Sequence, residues 1–265
     1  MRILHVLDHG LPVQSGYTFR TRAILKAQQG RGMAVAAVTG PRYNHSGDAV
    51  EQVDGLTFYR TPATRIGGAR EITAFARQIA AAVDAFRPDI VHAHSPVIGA
   101  IAAWTVTRRR NLPLVYEIRA FWEDAAVGNG TGSEGSARYR LTRALETWAT
   151  RRADAVAVIC EGLRGDLVTR GIDPAKIVVS PNGVDLTLFG AAPPRDAALA
   201  AELGLTDADV VGFIGSFYDY EGLDDLIAAM PALVAARPTA KLLLVGGGPM
   251  EPALRAQAAA SPQAD

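Results

Sequence analysis

Apolar residues recur along this chain in two periods. Short runs at 2–8 (Arg2-Ile3-Leu4-His5-Val6-Leu7-Asp8), 33–39, 90–94, 114–119 and 153–159 are apolar on both faces, which predicts strands buried on both sides. Shorter strands are expected at 56–60 and 177–179. Between them lie segments of helical character at 17–29, 71–86, 97–109, 136–152 and 161–170. Ile72, Phe75, Ile79 and Val83 mark the apolar stripe of the second, and Leu141, Leu145 and Trp148 that of the fourth. Residues 43–54 read as a polar loop, 61–68 as a second loop, and the Gly/Ser/Thr-rich stretch 128–135 as a mobile one.

Strand alternating with helix argues for a parallel sheet covered by helices on both faces. The rhythm breaks at Pro181-Asn182-Gly183-Val184-Asp185 and then restarts. A helix at 196–203, a strand at 210–214, a helix at 223–237, a strand at 241–245 and a last helix to about residue 260 open a second domain of the same class. The expected division is therefore 1–185 and 186–265. Two strands are few for such a sheet, so the chain is expected to stop inside its second domain.

Composition adds bounds. The 265 residues are 49% hydrophobic, enough for a substantial core. Formal net charge is zero, which gives no support to a nucleic-acid binder. The balance hides an asymmetry: residues 1–185 carry 23 Lys and Arg against 17 Asp and Glu, and residues 186–265 carry 4 against 10. Arg108-Arg109-Arg110 and the helix bearing Arg138, Arg140, Arg143, Arg151 and Arg152 concentrate the excess. That is either a solvated helix face or a contact with an anionic membrane surface or acidic acceptor. Cys160 is alone, so neither a disulfide framework nor a cysteine metal cluster is expected. With no charged leader and no apolar run near 20 residues, the expectation is a cytoplasmic protein.

Candidate chemistry gathers at strand ends. Ser15-Gly16-Tyr17 follows the first strand and opens a helix with Arg20 and Arg22 in its first turns. A helix start presents unpaired amides and a positive dipole end, so this is either a phosphate seat or a plain turn. His92 and His94 share one face of a strand. His92 reads as a packed core histidine, and His94, at the carboxyl end, as a donor to a phosphate or sugar hydroxyl. A His-x-His zinc site needs a third ligand, and none is evident. Glu117 and Arg119 share a face at the next strand end, followed by Phe121, Trp122, Glu123 and Asp124. They suit a polar ligand or form an internal ion pair. Gly215-Ser216 through Glu221-Gly222, and Gly246-Gly247-Gly248-Pro249, repeat the strand–glycine–helix logic and point to a ligand bearing a diphosphate.

Taken together, Ser15-Gly16, His92-Ala93-His94-Ser95, Ser180-Pro181-Asn182-Gly183-Val184-Asp185, Gly215…Glu221-Gly222-Leu223 and Val245-Gly246-Gly247-Gly248-Pro249 resemble, in order, the family 4 glycosyltransferases of GT-B fold. Ser15 to Arg22 and Glu117 to Asp124 are similar to the exosortase- and exopolysaccharide-associated subgroup. The resemblance implies one complete Rossmann-like acceptor-side domain plus the first two βα units of a second, nucleotide-sugar-binding one. It implies transfer of a sugar from a nucleotide-diphosphate sugar to a glycan or lipid-linked acceptor. Retention of configuration is expected, with no cofactor beyond the co-substrate and no essential metal. His94, Arg119 and Glu117 would form the catalytic group. Ser15, Gly16, Tyr17, Gly215, Ser216, Glu221, Gly222, Gly246, Gly247 and Gly248 would bind the donor in a cleft between the domains. Two departures stand out: Ser216 and Glu221 occupy positions that are often basic in the family, and the family's E-x7-E motif would fall beyond Asp265. Little or no turnover is therefore expected of this chain. The alternatives are a nucleotide-sugar epimerase of the same fold and a non-catalytic half that binds a glycan or a partner.

Overall fold

Strand β1 (Arg2–Leu7) lies at the centre of an eight-stranded sheet, paired in parallel on one side with β2 (Ala34–Thr39) and on the other with β5 (Ile90–His94). The full order is β3-β4-β2-β1-β5-β6-β7-β8, where β3 is Val50–Val53, β4 Leu56–Arg60, β6 Leu114–Ile118, β7 Ala155–Val158 and β8 Ile177–Val179. Strand order therefore reverses between β1 and β5, and that switch point opens a crevice at the carboxyl ends of the strands. The computed structural model describes residues 1–42, 47–63, 67–187 and 189–261. Parts of two predicted loops, 43–46 and 64–66, lie outside the described residues, as do Leu188 and 262–265.

Alternating side chains build two cores. Leu4 and Val6 pack on one face with Val91, Ala93, Tyr116 and Ile118, under α2 (Ala69–Phe86), α3 (Val97–Arg110) and α5 (Ala137–Arg152). Ile3 and Leu7 pack on the other with Val35, Ala37, Leu56 and Phe58, under Leu25 of α1 (Gly16–Gly30). Burial on both faces explains why the strand runs lack the alternation of a half-exposed sheet.

Three expectations change. The predicted polar loop 43–54 contains β3, which pairs antiparallel with β4. The segment after Phe121 forms a short helix, α4 (Trp122–Gly128), and reaches into the stretch predicted to be mobile. Helix α5 turns a different face inward: Glu146, Ala149 and Thr150 are buried, whereas Leu141 and Leu145 are exposed. A buried acceptor for the Tyr116 hydroxyl sets that rotation, because Tyr116 donates to Glu146 Oε1 at 2.5 Å.

The chain divides into two compact units, one of residues 1–125 and 134–183, the other of 184–265 with 126–133. After α6 (Glu161–Thr169), the second unit adds α7 (Ala197–Glu202), β9 (Asp209–Ser216), α8 (Leu223–Ala236), β10 (Ala240–Gly247) and α9 (Glu251–Ala259). Strands β9 and β10 pair in parallel as a two-stranded sheet. Phe217, Leu223, Ile227 and Leu254 form its core.

Candidate functional site

Register places a row of polar side chains on one face of an otherwise apolar sheet. His5 of β1 pairs with His92 of β5, and His94 of β5 pairs with Glu117 of β6. Paired residues of parallel strands point to the same side, so His5, His92, His94 and Glu117 all face α1. Arg119 follows one step beyond the end of β6. The row sits at the switch point, where an open α/β sheet binds its ligands.

Glu117 is the hub. Its Oε1 accepts from Arg20 Nε and from Arg119 Nε, both at 2.9 Å. Its Oε2 lies 3.3 Å from His94 Nδ1 and 3.3 Å from His92 Nε2, neither with hydrogen-bond geometry. Burial alone would oppose ionisation of Glu117, but His94 where it is protonated, the His92 contact and the Arg119 guanidinium outweigh it and hold the carboxyl well below the usual range. His94 and His5 are fully buried. Burial first, then His92, holds His94 well below its ordinary value and takes His5 down to about 3. Both imidazoles are therefore neutral at pH 7.

Arg119 is positioned from three sides. Beyond Glu117, its Nη1 donates to the Tyr17 carbonyl at 2.9 Å and its Nη2 to His94 Nδ1 at 2.7 Å. The guanidinium also lies 4.3 Å from the Tyr17 ring centroid. Three of its five N–H bonds are thereby committed, and two have no acceptor among the described residues. Arg20 is closer to saturation: besides Glu117 it reaches the carbonyls of Pro181 at 3.0 Å and Ser180 at 2.7 Å, and Asn182 Oδ1 at 2.9 Å. It ties α1 to the segment after β8.

The loop after β1 is closed on itself. Ser15 caps α1 by accepting from the Thr18 amide at 3.1 Å, and its hydroxyl meets His9 Nε2 at 2.9 Å. Tyr17 turns inward, its hydroxyl accepting from the Asp8 amide at 3.1 Å. Burial raises the Tyr17 phenol above its ordinary value. Gly16 is the open point: a Cβ there would meet nothing within 4 Å. Its amide, like that of Tyr17, belongs to the first turn, which has no intrahelical acceptor.

The remaining predicted residues fall in the second unit. Gly215 and Ser216 end β9, Gly222 precedes α8, and Glu221 is exposed. Gly246 and Gly248 serve a close backbone approach. A Cβ on Gly246 would run into the Gly215 carbonyl, and one on Gly248 would lie 2.7 Å from the Phe217 carbonyl oxygen. Gly247 accepts from the Phe217 amide at 3.0 Å. A hollow of about 640 Å³ in this unit is lined by Phe217, Ile227, Met230, Leu242, Leu244 and Leu254 among others. Of the glycine-loop residues it takes in only Gly246.

The structure thus brings His94, Glu117, Arg119 and Tyr17 together. Glu123 and Asp124 are directed elsewhere: Arg170 Nη1 donates to Glu123 Oε1 at 2.8 Å, and the Tyr139 hydroxyl donates to Asp124 Oδ1 at 2.7 Å. Arg22 leaves the loop for Asp54 Oδ2 at 2.7 Å. His5, Gln28 and the role of Arg20 escaped the sequence reading. The available signal was a histidine in phase with Ile3 and Leu7 inside an apolar strand.

His5 also supplies the third imidazole that a His-x-His zinc site requires, since ligand atoms of His5, His92 and His94 lie within 4.8 Å of one another. The donor set does not suit a cation. Arg119, which can only donate, covers His94 Nδ1, and His94 Nε2 and His5 Nδ1 face each other at 2.9 Å. Two guanidinium groups stand beside the same carboxylate.

Comparison with known proteins identifies the family. The glycosyl transferase 4-like domain matches residues 15–183, and the glycosyl transferases group 1 domain matches 208–264. The D-inositol 3-phosphate glycosyltransferase of Segniliparus rotundus is 32% identical over 228 residues, covering 82% of this chain and 49% of the relative. The chain thus spans about half the length of that relative. Among solved structures, sucrose-phosphate synthase from Thermosynechococcus elongatus superposes with a TM-score of 0.72 at 21% identity, covering 93% of this chain and 62% of that one. Anabaena HepE, solved in complex with UDP and glucose, gives 0.70 at 17% identity, covering 97% and 65%. These likenesses establish the fold, a Rossmann-like α/β architecture shared with GT-B proteins. With its switch-point crevice and the family match over most of its length, the chain belongs to the glycosyl transferase 4-like family.

Proposed function

We infer that this chain is part of a glycosyltransferase that moves a sugar from a nucleotide-diphosphate donor to a glycan or lipid-linked acceptor of the exopolysaccharide kind. Transfer proceeds with retention and without an essential metal. One observation carries the reading: Arg119 is held at the carboxyl edge of the switch point with two N–H bonds that have no acceptor among the described residues. A guanidinium so fixed is suited to the charge that develops on a leaving diphosphate. The amide of Gly16, open at the start of α1, adds a second donor on the same side of the sheet. His94 and Glu117 act through Arg119, since both are buried. In the second unit, Gly215, Ser216, Glu221, Gly222 and Gly246 to Gly248 are the residues we propose for holding the nucleotide. Names borne by relatives and neighbours, a D-inositol 3-phosphate glycosyltransferase and a protein solved with UDP and glucose, support a nucleotide-sugar donor.

Calorimetric titration with UDP-, GDP- and ADP-sugars tests the reading. One donor class should bind, and Arg119→Ala should weaken it about tenfold or more, the loss of one charge-assisted contact. Nucleoside diphosphate released only on addition of acceptor marks a transferase. Sugar conversion without acceptor marks the epimerase, and acceptor binding with no donor binding marks a non-catalytic half.

Peripheral attachment to the anionic inner face of a membrane belongs to the same reading. No described helix is long and apolar enough to cross a bilayer. Helix α5 instead exposes Leu141 and Leu145, beside a basic groove of about 640 Å³ lined by Arg140, Arg143, Arg151, Arg152 and Trp148.

A further inference from the structure

A chain of polar contacts crosses the interior from Arg119 to α1, and its direction can be deduced. Arg119 Nη2 stands 2.7 Å from His94 Nδ1. A guanidinium keeps its protons and has no acceptor, so His94 Nδ1 accepts. A neutral His94 then carries its proton on Nε2, which lies 2.9 Å from His5 Nδ1. His5 Nδ1 therefore accepts, and the His5 proton sits on Nε2, 2.8 Å from Gln28 Oε1. That oxygen accepts in turn. Each joint holds one hydrogen, and every donor points from Arg119 toward α1. The opposite direction would put the His94 proton on Nδ1, against the Nη2 hydrogen of Arg119 at 2.7 Å, with only the longer 3.3 Å contact to Glu117 Oε2 to accept it. A second proton on either ring would set two N–H groups against each other, inside a core where both histidines are fully buried.

The two arginines on Glu117 show why the chain matters. Arg20 is fixed by three further acceptors in the Ser180–Asn182 segment. Among the described residues Arg119 has two besides Glu117, and His94 is one of them. Without a bare Nδ1 on His94, the Nη2 end of Arg119 would lose its partner.

We propose that His5 and Gln28 are positioning residues that fix His94 as its Nε2–H tautomer and thereby hold the Arg119 guanidinium in one orientation toward a phosphate or diphosphate group. The last clause rests on the glycosyl-transfer reading, whereas the tautomer assignment stands on geometry alone.

The test uses the full chain labelled with ¹⁵N-histidine. Long-range ¹H–¹⁵N spectra at neutral pH should show His5 and His94 as neutral Nε2–H imidazoles with bare Nδ1. An Nδ1–H tautomer or an imidazolium at His94 overturns the proposal. His5→Leu and Gln28→Leu should each broaden His94 into a tautomer mixture and weaken the affinity for inorganic pyrophosphate about tenfold, or ~1.4 kcal/mol. His5→Asn, whose Oδ1 can accept near the place of Nδ1, should restore both. Wild-type tautomer and affinity in the Leu variants would refute the positioning role. Should His5→Leu fail to fold, His5→Asn and Gln28→Leu carry the same comparison. Expected tautomers with no pyrophosphate binding by the parent chain would remove the anion clause and count against the transfer reading, leaving the tautomer lock intact.

Discussion

Glu146 and Glu117 are the same residue type, both buried, with opposite chemistry. Glu117 faces two guanidinium groups and stays ionised. Glu146 has only the Tyr116 hydroxyl on Oε1, and no hydrogen-bond partner on Oε2 among the described residues. Burial pushes its carboxyl up to about 7; the hydrogen bond from Tyr116 opposes that shift and the Glu123 charge adds to it. Because the folded value is raised, the unfolded chain gives up this proton near 4.5 while the folded chain keeps it to about 7. The folded state is therefore favoured below pH 4.5, and that advantage is lost as pH rises toward 7. Glu146→Gln should be nearly neutral at pH 4.5 and stabilise the chain by roughly 1–3 kcal/mol at pH 8, read from urea unfolding at both pH values. An equal effect at both would contradict the assignment. Residue identity alone could not separate these glutamates, because the difference lies in what the fold brings to each. His94, Glu117 and Arg119 were legible as polar groups ending apolar strands. His5 and Gln28 were not, since their meaning depends on which strand lies beside β1 and on how α1 is rotated above it.

At the scale of elements, the hairpin of β3 and β4 illustrates a signal that polarity obscured. Glu51 and Gln52 make β3 look like a loop, yet Asp54-Gly55 is a two-residue hairpin turn, with φ of 54° and 67°. Arg22 bonds the Asp54 carboxylate and Lys26 its carbonyl, so α1 clamps the turn. Gly55→Ala should lower stability by about 1 kcal/mol through its positive φ, shifting the urea midpoint without changing the slope. Gly55→Asn should lose less, because Asn tolerates that region. Helix α5 was legible as a helix but not in its rotation. Its stripe of Leu141, Leu145 and Trp148 competes with the need of the Tyr116 hydroxyl for a buried acceptor, and the Glu146 face turns inward.

Across the whole molecule, the two units are unequal in how their sheets are covered. The eight-stranded sheet has a core on each face. In the second unit Phe213, Phe217, Leu242 and Leu244 pack with α8 and α9, while Val210, Ile214 and Val245 remain 40%, 83% and 44% exposed. Amide exchange should follow this difference. Protection in β1 and β5 should outlast that in β9 and β10, and the reverse order would contradict the assignment of the main core to the first unit. The alternation of strand and helix was legible along the chain; the two compact units part between residues 183 and 184, beside the Pro-Asn-Gly break, and the second takes in 126–133, which no pattern in the sequence assigned to it.

The uncovered side of β9 and β10 has a colloidal consequence. Among the described residues β9 and β10 pair only with each other, and they present a valine–isoleucine strip to water. Apolar surface of this kind favours association, so the second unit is expected to set the salt at which copies of the chain come together. Salts that strengthen apolar association should drive copies together there well before they perturb the histidine row in the first unit.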